Sequence, residues 1–440
     1  MAKLTCYGGA GNATGANFML EIGGRTVLID CGMEQGGERA HAHNQRPFPY
    51  PPASAELLFI THAHIDHVGL IPKLVKNGFA GEVWSTQETR EIAQLLLEDA
   101  ERIGADKNEP LYGPADVVRA LSQWQTLAYH EPKDFGGFTI EAFDAGHVLG
   151  SAMYRFTSPS GKTMLFTGDL GNSPSLLLGD RERVKGLDYL LMESVYGDRN
   201  HEGRELRDAK FARIVSDAVK RGGTLMIPAF SLERTQEILL LLDKLFEKEE
   251  FFKKEKLPSA PVYLDSPLAS RITPIFEQAL GPDRFNFKEL VKIARVADSR
   301  DIWSTPGAKI IVAGSGMSTA GRILGHEKHF LPDPNSTILF MGYQAAGTFG
   351  RQIAEGVKNV VIDGETVPVR ATVERIEGYS GHADSDALVE FASASEKTLK
   401  KVFVAMGEPK SEIFLAQRLK DELGVLAVAT EEGKSYELDM

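Results

Sequence analysis

The chain has 440 residues, 42% of them hydrophobic, which is enough for two cores in place of one. Its 49 lysines and arginines against 61 aspartates and glutamates give a formal net charge of −12, which excludes broad attraction to polyanions and makes any nucleic-acid contact a matter of local charge. Two cysteines, Cys6 and Cys31, exclude a disulfide framework, no apolar run approaches the roughly 20 residues of a membrane helix, and no charged-then-apolar leader is present, so the composition predicts a soluble cytoplasmic protein with no membrane partner.

Residues 1 to about 200 alternate short apolar strands with glycine turns. The run Gly8-Gly9-Ala10-Gly11-Asn12-Ala13-Thr14-Gly15 lacks the spacing of a dinucleotide fingerprint and no phosphate-cradling lysine follows, so it predicts a tight turn. Asp30 follows the apolar Thr26-Val27-Leu28-Ile29, and Cys31 beside it reads as a small buried residue. Leu57-Leu58-Phe59-Ile60 predicts a buried strand, Val68-Gly69-Leu70-Ile71 the start of a helix, and between them stands Thr61-His62-Ala63-His64-Ile65-Asp66-His67. His62 and His64, two apart on an extended segment, point the same way, while Asp66 and His67 can turn toward a second position nearby. A histidine can simply cap a helix, but three imidazoles and a carboxylate this close predict a metal site, and neutral imidazole suits zinc. Gln87 to Gly104 carries helical periodicity through Ile92, Leu95, Leu96 and Ile103. His147 follows Asp144-Ala145-Gly146, Asp169 ends the strand from Met164, and the apolar Tyr189-Leu190-Leu191-Met192 runs into Glu193-Ser194-Val195-Tyr196-Gly197.

Beyond residue 204 the pattern changes to longer helices between buried strands. Gly223 to Phe230 predicts a strand, with Ser231 capping a helix from Leu232 to Phe246 and Glu233 in its first turn. Strands at 261–266, 309–315 and 336–343, separated by helical stretches, predict a largely parallel sheet. The charged run 246–256 reads as a solvated helix end. His326 and His329 lie on a predicted helix after Gly321-Arg322, where substrate contact and a surface position both stand. Strands at 401–406 and 425–429, the second the last, flank an amphipathic helix at 412–423. His41, His43, His130 and His201 read as surface or packing residues.

The histidine stretch, together with Asp30, His147 and Asp169 in their order and context, resembles the signature of the metallo-β-lactamase superfamily. Glu-Ser-x-Tyr-Gly at 193–197, and Gly378-Tyr379-Ser380-Gly381-His382-Ala383-Asp384 as a Ser-x-His-x-Asp motif, narrow the resemblance to its β-CASP branch. The chain is similar to the compact bacterial RNA-processing ribonucleases of that branch and to the endonuclease subunit of the eukaryotic cleavage and polyadenylation machinery. The resemblance implies an α/β fold, an αββα sandwich with an inserted α/β β-CASP domain: 1–204 and 369–440 would form the sandwich and 205–368 the insert. It assigns one metal to His62, His64, His147 and Asp169, and a second to Asp66, His67 and the shared Asp169. It implies catalytic roles for Asp66, Glu193 and His382, the last two assisting the leaving oxygen. Asp30 would hold a ligand in its tautomer. Ser315 and Arg322 in one glycine-rich turn, and Gln344, Gly347 and Thr348 in another, match substrate-binding turns of the insert. The implied reaction is hydrolysis of RNA phosphodiesters by a metal-activated hydroxide, endonucleolytic, leaving a 5′-phosphate and a 3′-hydroxyl; single-stranded DNA stays open as a substrate and a homo-oligomer as a state.

One departure bears on the metals. The branch carries His-Gly-Glu after the strand 402–405, and its histidine completes the second ligand set; here the residues are Met406-Gly407-Glu408. A thioether is a poor ligand for borderline divalent cations, which predicts one tight zinc and a weak or partly occupied second site. The alternative is a catalytically reduced member that binds RNA or a partner. A small-molecule hydrolase of the lactamase kind needs neither the insert nor the Glu193 and His382 motifs.

Overall fold

The strand Leu57–Phe59 is buried on both faces and belongs to a seven-stranded sheet of a computed structural model. Residues 1–36, 38–106, 109–201, 203–247, 260–281, 290–292, 296–342, 344, 347–376 and 379–440 are described. The sheet runs Ser435–Leu438, Ala2–Gly8, Asn17–Ile22, Arg25–Ile29, Leu57–Phe59, Glu82–Ser85, Trp124–Thr126. Its strands are antiparallel up to Arg25–Ile29 and parallel from there on. A second seven-stranded sheet runs Ala427–Ala429, Lys401–Val404, Tyr189–Met192, Thr163–Phe166, Ala152–Thr157, Thr139–Asp144, Lys133–Asp134.

The two sheets share one apolar core that includes Phe18, Phe59, Phe156, Phe166 and Phe403. Phe59 sits edge-on to Phe135, Tyr154 and Phe156 at 5.3, 5.5 and 5.7 Å between ring centres. Tyr154 also donates its hydroxyl to the carbonyl of Ile60 at 2.8 Å, so the strand is pinned just before the histidines. Truncating such a ring costs about 3–5 kcal/mol, and here the loss would fall directly under the site. The other face of the second sheet packs Leu165, Leu190 and Val402 against Leu388 and Phe391 of the helix Ser385–Ser393 and Leu415 and Leu419 of the helix Pro409–Leu423.

Two local expectations shift. The helix after the histidines opens at Ile65, not Val68, and lasts one turn, Ile65–Val68, before Ile71–Lys76 begins with Pro72 in its first turn. Asp66 and His67 therefore ride on a helix. The strand at 427–429 is not the last, because Ser435–Leu438 returns to pair with Ala2–Gly8.

The described chain divides into two units, Met1–Asn200 with Gly381–Met440, and His201–Ser380. The second unit holds a six-stranded sheet ordered Leu290–Lys292, Val262–Asp265, Lys309–Ala313, Thr224–Pro228, Thr337–Met341, Thr372–Ile376, with every pair parallel. Its central strands Lys309–Ala313, Thr224–Pro228 and Thr337–Met341 are near-continuous apolar runs buried throughout, as strands covered on both faces require. Thr372–Ile376 lies after the 368/369 boundary read from the sequence, yet it pairs with Thr337–Met341 and extends this sheet. The helix expected from Leu232 starts at Arg234, since Ser231 turns its hydroxyl to Ser266 at 3.1 Å and Glu233 takes a left-handed conformation with φ 63°. Most of the charged run at 246–256, with Tyr343 and Gly378, lies outside the described residues. Among the described residues no helix is long and apolar enough to cross a membrane.

Glu327, on the helix Ile323–Phe330, is 0% exposed; Ser318 meets its Oε1, and its Oε2 has no partner among the described residues. Burial pushes its carboxyl up to about 8 from an ordinary 4.5. A raised acid binds its proton more tightly in the fold, so the stability it supports is complete below about pH 4.5 and is lost as pH rises toward 8. Glu327→Gln is therefore expected to leave melting unchanged near pH 4 and to stabilise the second unit by on the order of 1–3 kcal/mol at pH 9. Thermal melts of both proteins across that range check it; parallel curves would mean the carboxyl already finds a partner when ionised.

Candidate metal centre

The expected ligands come from strand ends that share one edge of the sandwich. His62 and His64 follow Leu57–Phe59, Asp30 follows Arg25–Ile29, His147 follows Thr139–Asp144, Asp169 follows Thr163–Phe166 and Glu193 follows Tyr189–Met192. His382 joins them through short bridges, Gly171 to His382 and Tyr196 to Asp384. Gly168, at φ 54°, allows the approach: a Cβ there would lie 2.6 Å from the side chain of Thr61.

Asp169 is the meeting point. Its Oδ2 lies 3.5 Å from Nε2 of His62, His67 and His147, and 3.8 Å from Nδ1 of His382. His64 Nδ1 is 3.0 Å from His62 Nε2 and 3.2 Å from His147 Nε2. Four donors, from His62, His64, His147 and Asp169, thus lie within 4.8 Å of one another. A tetrahedral cation with bonds of about 2.0–2.1 Å needs donors about 3.3–3.4 Å apart, which these spacings bracket.

The outer hydrogen bonds decide where the imidazole protons go. Asp30 accepts the backbone N–H of Thr61 at 2.8 Å on Oδ1, and on Oδ2 the Thr61 hydroxyl at 2.8 Å and His67 Nδ1 at 2.8 Å. Having given its one proton to Asp30, the Thr61 hydroxyl accepts from His62 Nδ1 at 3.1 Å. His147 Nδ1 donates to the carbonyl of Gly381 at 3.1 Å. In His62 and His147 the proton is therefore directed outward, leaving Nε2 as a lone pair facing the cluster. Burial holds His62 and His147 well below the ordinary value and so neutral, as ligands must be. Burial opposes charge on His67, but Asp169 and Asp30 on either side outweigh it and hold its pKa well above ordinary. Burial likewise works against Asp169, and His67, His382 and His62 overcome it and keep the carboxylate ionised.

A second group of donors joins Asp169, Glu193 and His382. His382 Nδ1 is 3.3 and 3.2 Å from the two oxygens of Glu193, whose Oε1 also accepts the N–H of Leu170 at 2.6 Å. Burial disfavours a cationic His382, yet Glu193 and Asp169 raise it to about 9. Among the described residues Asp66 falls in neither donor group, and His67 enters neither. Met406 lies on the turn beside Ser194, where a Cβ on Gly407 would meet the Ser194 hydroxyl at 2.2 Å. It is 1% exposed, with φ 49°, and its side chain belongs to the sandwich core. Cys31 is buried and its thiol is pushed up by burial, and it joins neither donor group.

The residues expected to touch substrate lie in the second unit. Ser315 accepts from the N–H groups of Thr319 and Ala320, 3.0 and 3.3 Å, inside its own turn. Gln344 is buried and donates to the carbonyl of Gly316 at 3.0 Å, Gly347 has φ 85°, and the Thr348 hydroxyl caps the helix Phe349–Ala354 through Arg351 N. Arg322 is bound to Asp265. His326, open in sequence between substrate and surface, is instead fully buried. Sequence reading missed Thr61 and Gly381, whose polar atoms set the proton positions of two histidines; the only signal was their adjacency to the motifs.

A two-sheet sandwich with a histidine and carboxylate cluster at its strand ends, carrying a parallel α/β unit within the chain, defines a metallohydrolase-type protein. The chain belongs to the metallo-beta-lactamase superfamily, whose domain matches residues 12–244, followed by a Beta-Casp domain over 235–353 and a Zn-dependent metallo-hydrolase RNA specificity domain over 366–429. It is 36% identical to "Ribonuclease TTHA0252" of Thermus thermophilus over 90% of this chain and 92% of that protein. It is 30% identical to "Transcription termination factor FttA" of Methanosarcina mazei over 96% of this chain and 69% of that one, and 29% identical to "Endoribonuclease ysh1" of Schizosaccharomyces pombe over 86% and 50%. A crystal structure of a protein of unknown function from Enterococcus faecalis shares the fold, with TM-score 0.60 and 14% identity over 99% of this chain and 100% of that one.

Asp30→Ala should lower metal affinity about 10–100-fold by releasing Thr61 and His67 together. Competition with a chromophoric chelator measures it, and equal affinity in variant and parent would show that other groups orient the rings.

Proposed function

We propose that this protein is a zinc-dependent ribonuclease that hydrolyses RNA phosphodiester bonds endonucleolytically. The observation that carries the reading is the convergence of imidazole lone pairs on Asp169, with the protons of His62 and His147 turned away by Thr61 and Gly381. Imidazole and carboxylate suit zinc. The names of the ribonuclease and endoribonuclease relatives, and the RNA specificity domain matched at 366–429, support RNA as the substrate. Two buried free cysteines accord with the reducing cytoplasm where we place it.

His62, His64, His147 and Asp169 would hold the tight cation. Asp66 and His67 would share Asp169 with a weaker, exchangeable one, since residue 406 is a core thioether. Bound metal supplies Lewis-acid neutralisation of the phosphoryl oxygens and lowers the pKa of water. The chain's own part is proton transfer. Glu193 fixes His382 through Nδ1, and His382 gives a proton to the departing 3′ oxygen as the bond to phosphorus breaks, leaving a 3′-hydroxyl and a 5′-phosphate.

End-labelled RNA and DNA incubated with metal-loaded protein test this. Internal cuts in RNA are expected, lost in His62→Ala and His64→Ala, with Glu193→Gln or His382→Ala lowering kcat about 10²–10⁴-fold. RNA that is bound and left intact would transfer the chain to the reduced, RNA-binding class. Met406→His is expected to move metal content from nearer one to nearer two ions per chain and to raise the rate; histidine is among the residues that tolerate a positive φ. No change in either quantity would mean another group already serves that position.

A further inference from the structure

In the second unit the strands Val262–Asp265 and Lys309–Ala313 lie side by side and parallel, and Asp265 pairs with Ala313 at their carboxyl ends. Ligands of open parallel sheets gather at that edge. The glycine-rich turn 314–321 follows Ala313 and leads into Arg322 and the helix Ile323–Phe330.

Asp265 is 0% exposed and still accepts three side chains. Ser299 and His326 Nε2, the latter at 2.7 Å, both meet Oδ2, while Arg322 Nη1 meets Oδ1 at 2.5 Å. On its other nitrogen, Nδ1, His326 accepts from Trp303 Nε1 at 3.2 Å. An indole N–H only donates, so the His326 proton is on Nε2 and the ring is neutral. Burial opposes ionisation of Asp265, but these donors outweigh it and hold the carboxyl below its ordinary range.

The arrangement has a consequence for Arg322. An aspartate with both oxygens open takes a guanidinium as a two-pronged fork. Here Oδ2 is already filled by Ser299 and His326, so Asp265 takes Arg322 by one oxygen alone. The arginine is anchored, and its side chain is 16% exposed at the mouth of the turn. Replacing a buried charge pair with apolar groups is often neutral or stabilising, so stability alone does not account for this pair.

We propose that Asp265, with Ser299, His326 and Trp303 behind it, is a positioning residue for RNA recognition, holding Arg322 so that its guanidinium meets a substrate phosphate at the glycine-rich turn. This rests on the reading that RNA is the substrate and that the turn contacts it. Preorganising an arginine in this way strengthens binding without adding a contact.

The test uses the full chain with His382→Ala as the parent and common background, in which cutting is slowed about 10²–10⁴-fold, and a single-stranded RNA oligonucleotide, with Kd measured by anisotropy at several salt concentrations. Arg322→Ala should weaken binding about 10-fold and lower the slope of log K against log salt by about 0.7, the loss of one single-strand phosphate contact. Asp265→Asn should lower the slope by the same amount and weaken binding about 3–10-fold, and the double variant should bind no worse than Arg322→Ala. Should Asp265→Asn fold poorly, Ser299→Ala, which opens Oδ2 to Arg322, should weaken binding in the same direction by about 2–5-fold. A parental slope in Asp265→Asn, or losses that add in the double variant, overturns the positioning role while leaving the RNA reading intact. A parental slope in Arg322→Ala overturns the phosphate contact itself, and no RNA binding by the parent overturns the reading beneath it.

Discussion

The structure turns on one buried carboxylate. Asp169 is 4% exposed, and taking such a group from water costs several kcal/mol unless opposite charge and hydrogen bonds meet it. His62, His67, His147 and His382 surround its Oδ2 at 3.5–3.8 Å, while its Oδ1 has no hydrogen-bond partner among the described residues. The lone pairs of His62 and His147 turned toward a carboxylate, and an oxygen left over, are balanced when a cation sits among them. The two sheets supply this geometry because the strands before His62, Asp169 and Glu193 all end at one edge, and Gly168 lets the two sides close on Thr61.

The outer layer does as much as the ligands. Asp30 gathers Thr61 and His67, and Thr61 passes the constraint to His62, so a single carboxylate orders the proton positions of two rings. Asp265 does an analogous thing in the second unit, where filling one oxygen with neutral donors determines how an arginine is held. In both places the fold controls charge by controlling which oxygen or nitrogen is already taken.

What could be read from the sequence follows the range of the interactions. The histidine stretch was legible because its residues sit on one strand end and one turn, Asp30 and Asp169 because each follows an apolar run, and His147 because it stands just past Asp144-Ala145-Gly146 in the order the resemblance implies. Thr61 was not, since threonine is too common to mark a role and its importance arises from Asp30, 31 residues earlier. The Asp265 to His326 bond spans 61 residues and joins a strand to a helix, a contact that periodicity does not encode. Ser231 misled for the same reason: a capping rule is local, and Ser266, 35 residues on, competes for its hydroxyl. The strand Ser435–Leu438 was too short and too polar to stand out, and only pairing with Ala2–Gly8 makes it one.

The Gly381 carbonyl that orients His147 lies 234 residues further along the chain. During synthesis from the amino terminus, at about 5–20 residues per second, that carbonyl emerges roughly 10–50 s after the ring it governs. A half-made chain carries the His62 and His64 pair, but it lacks the partner that sets the third imidazole and the whole of His382. Completion of the cluster is thus deferred until residues 381 and 382 have been made, long after the histidine stretch itself.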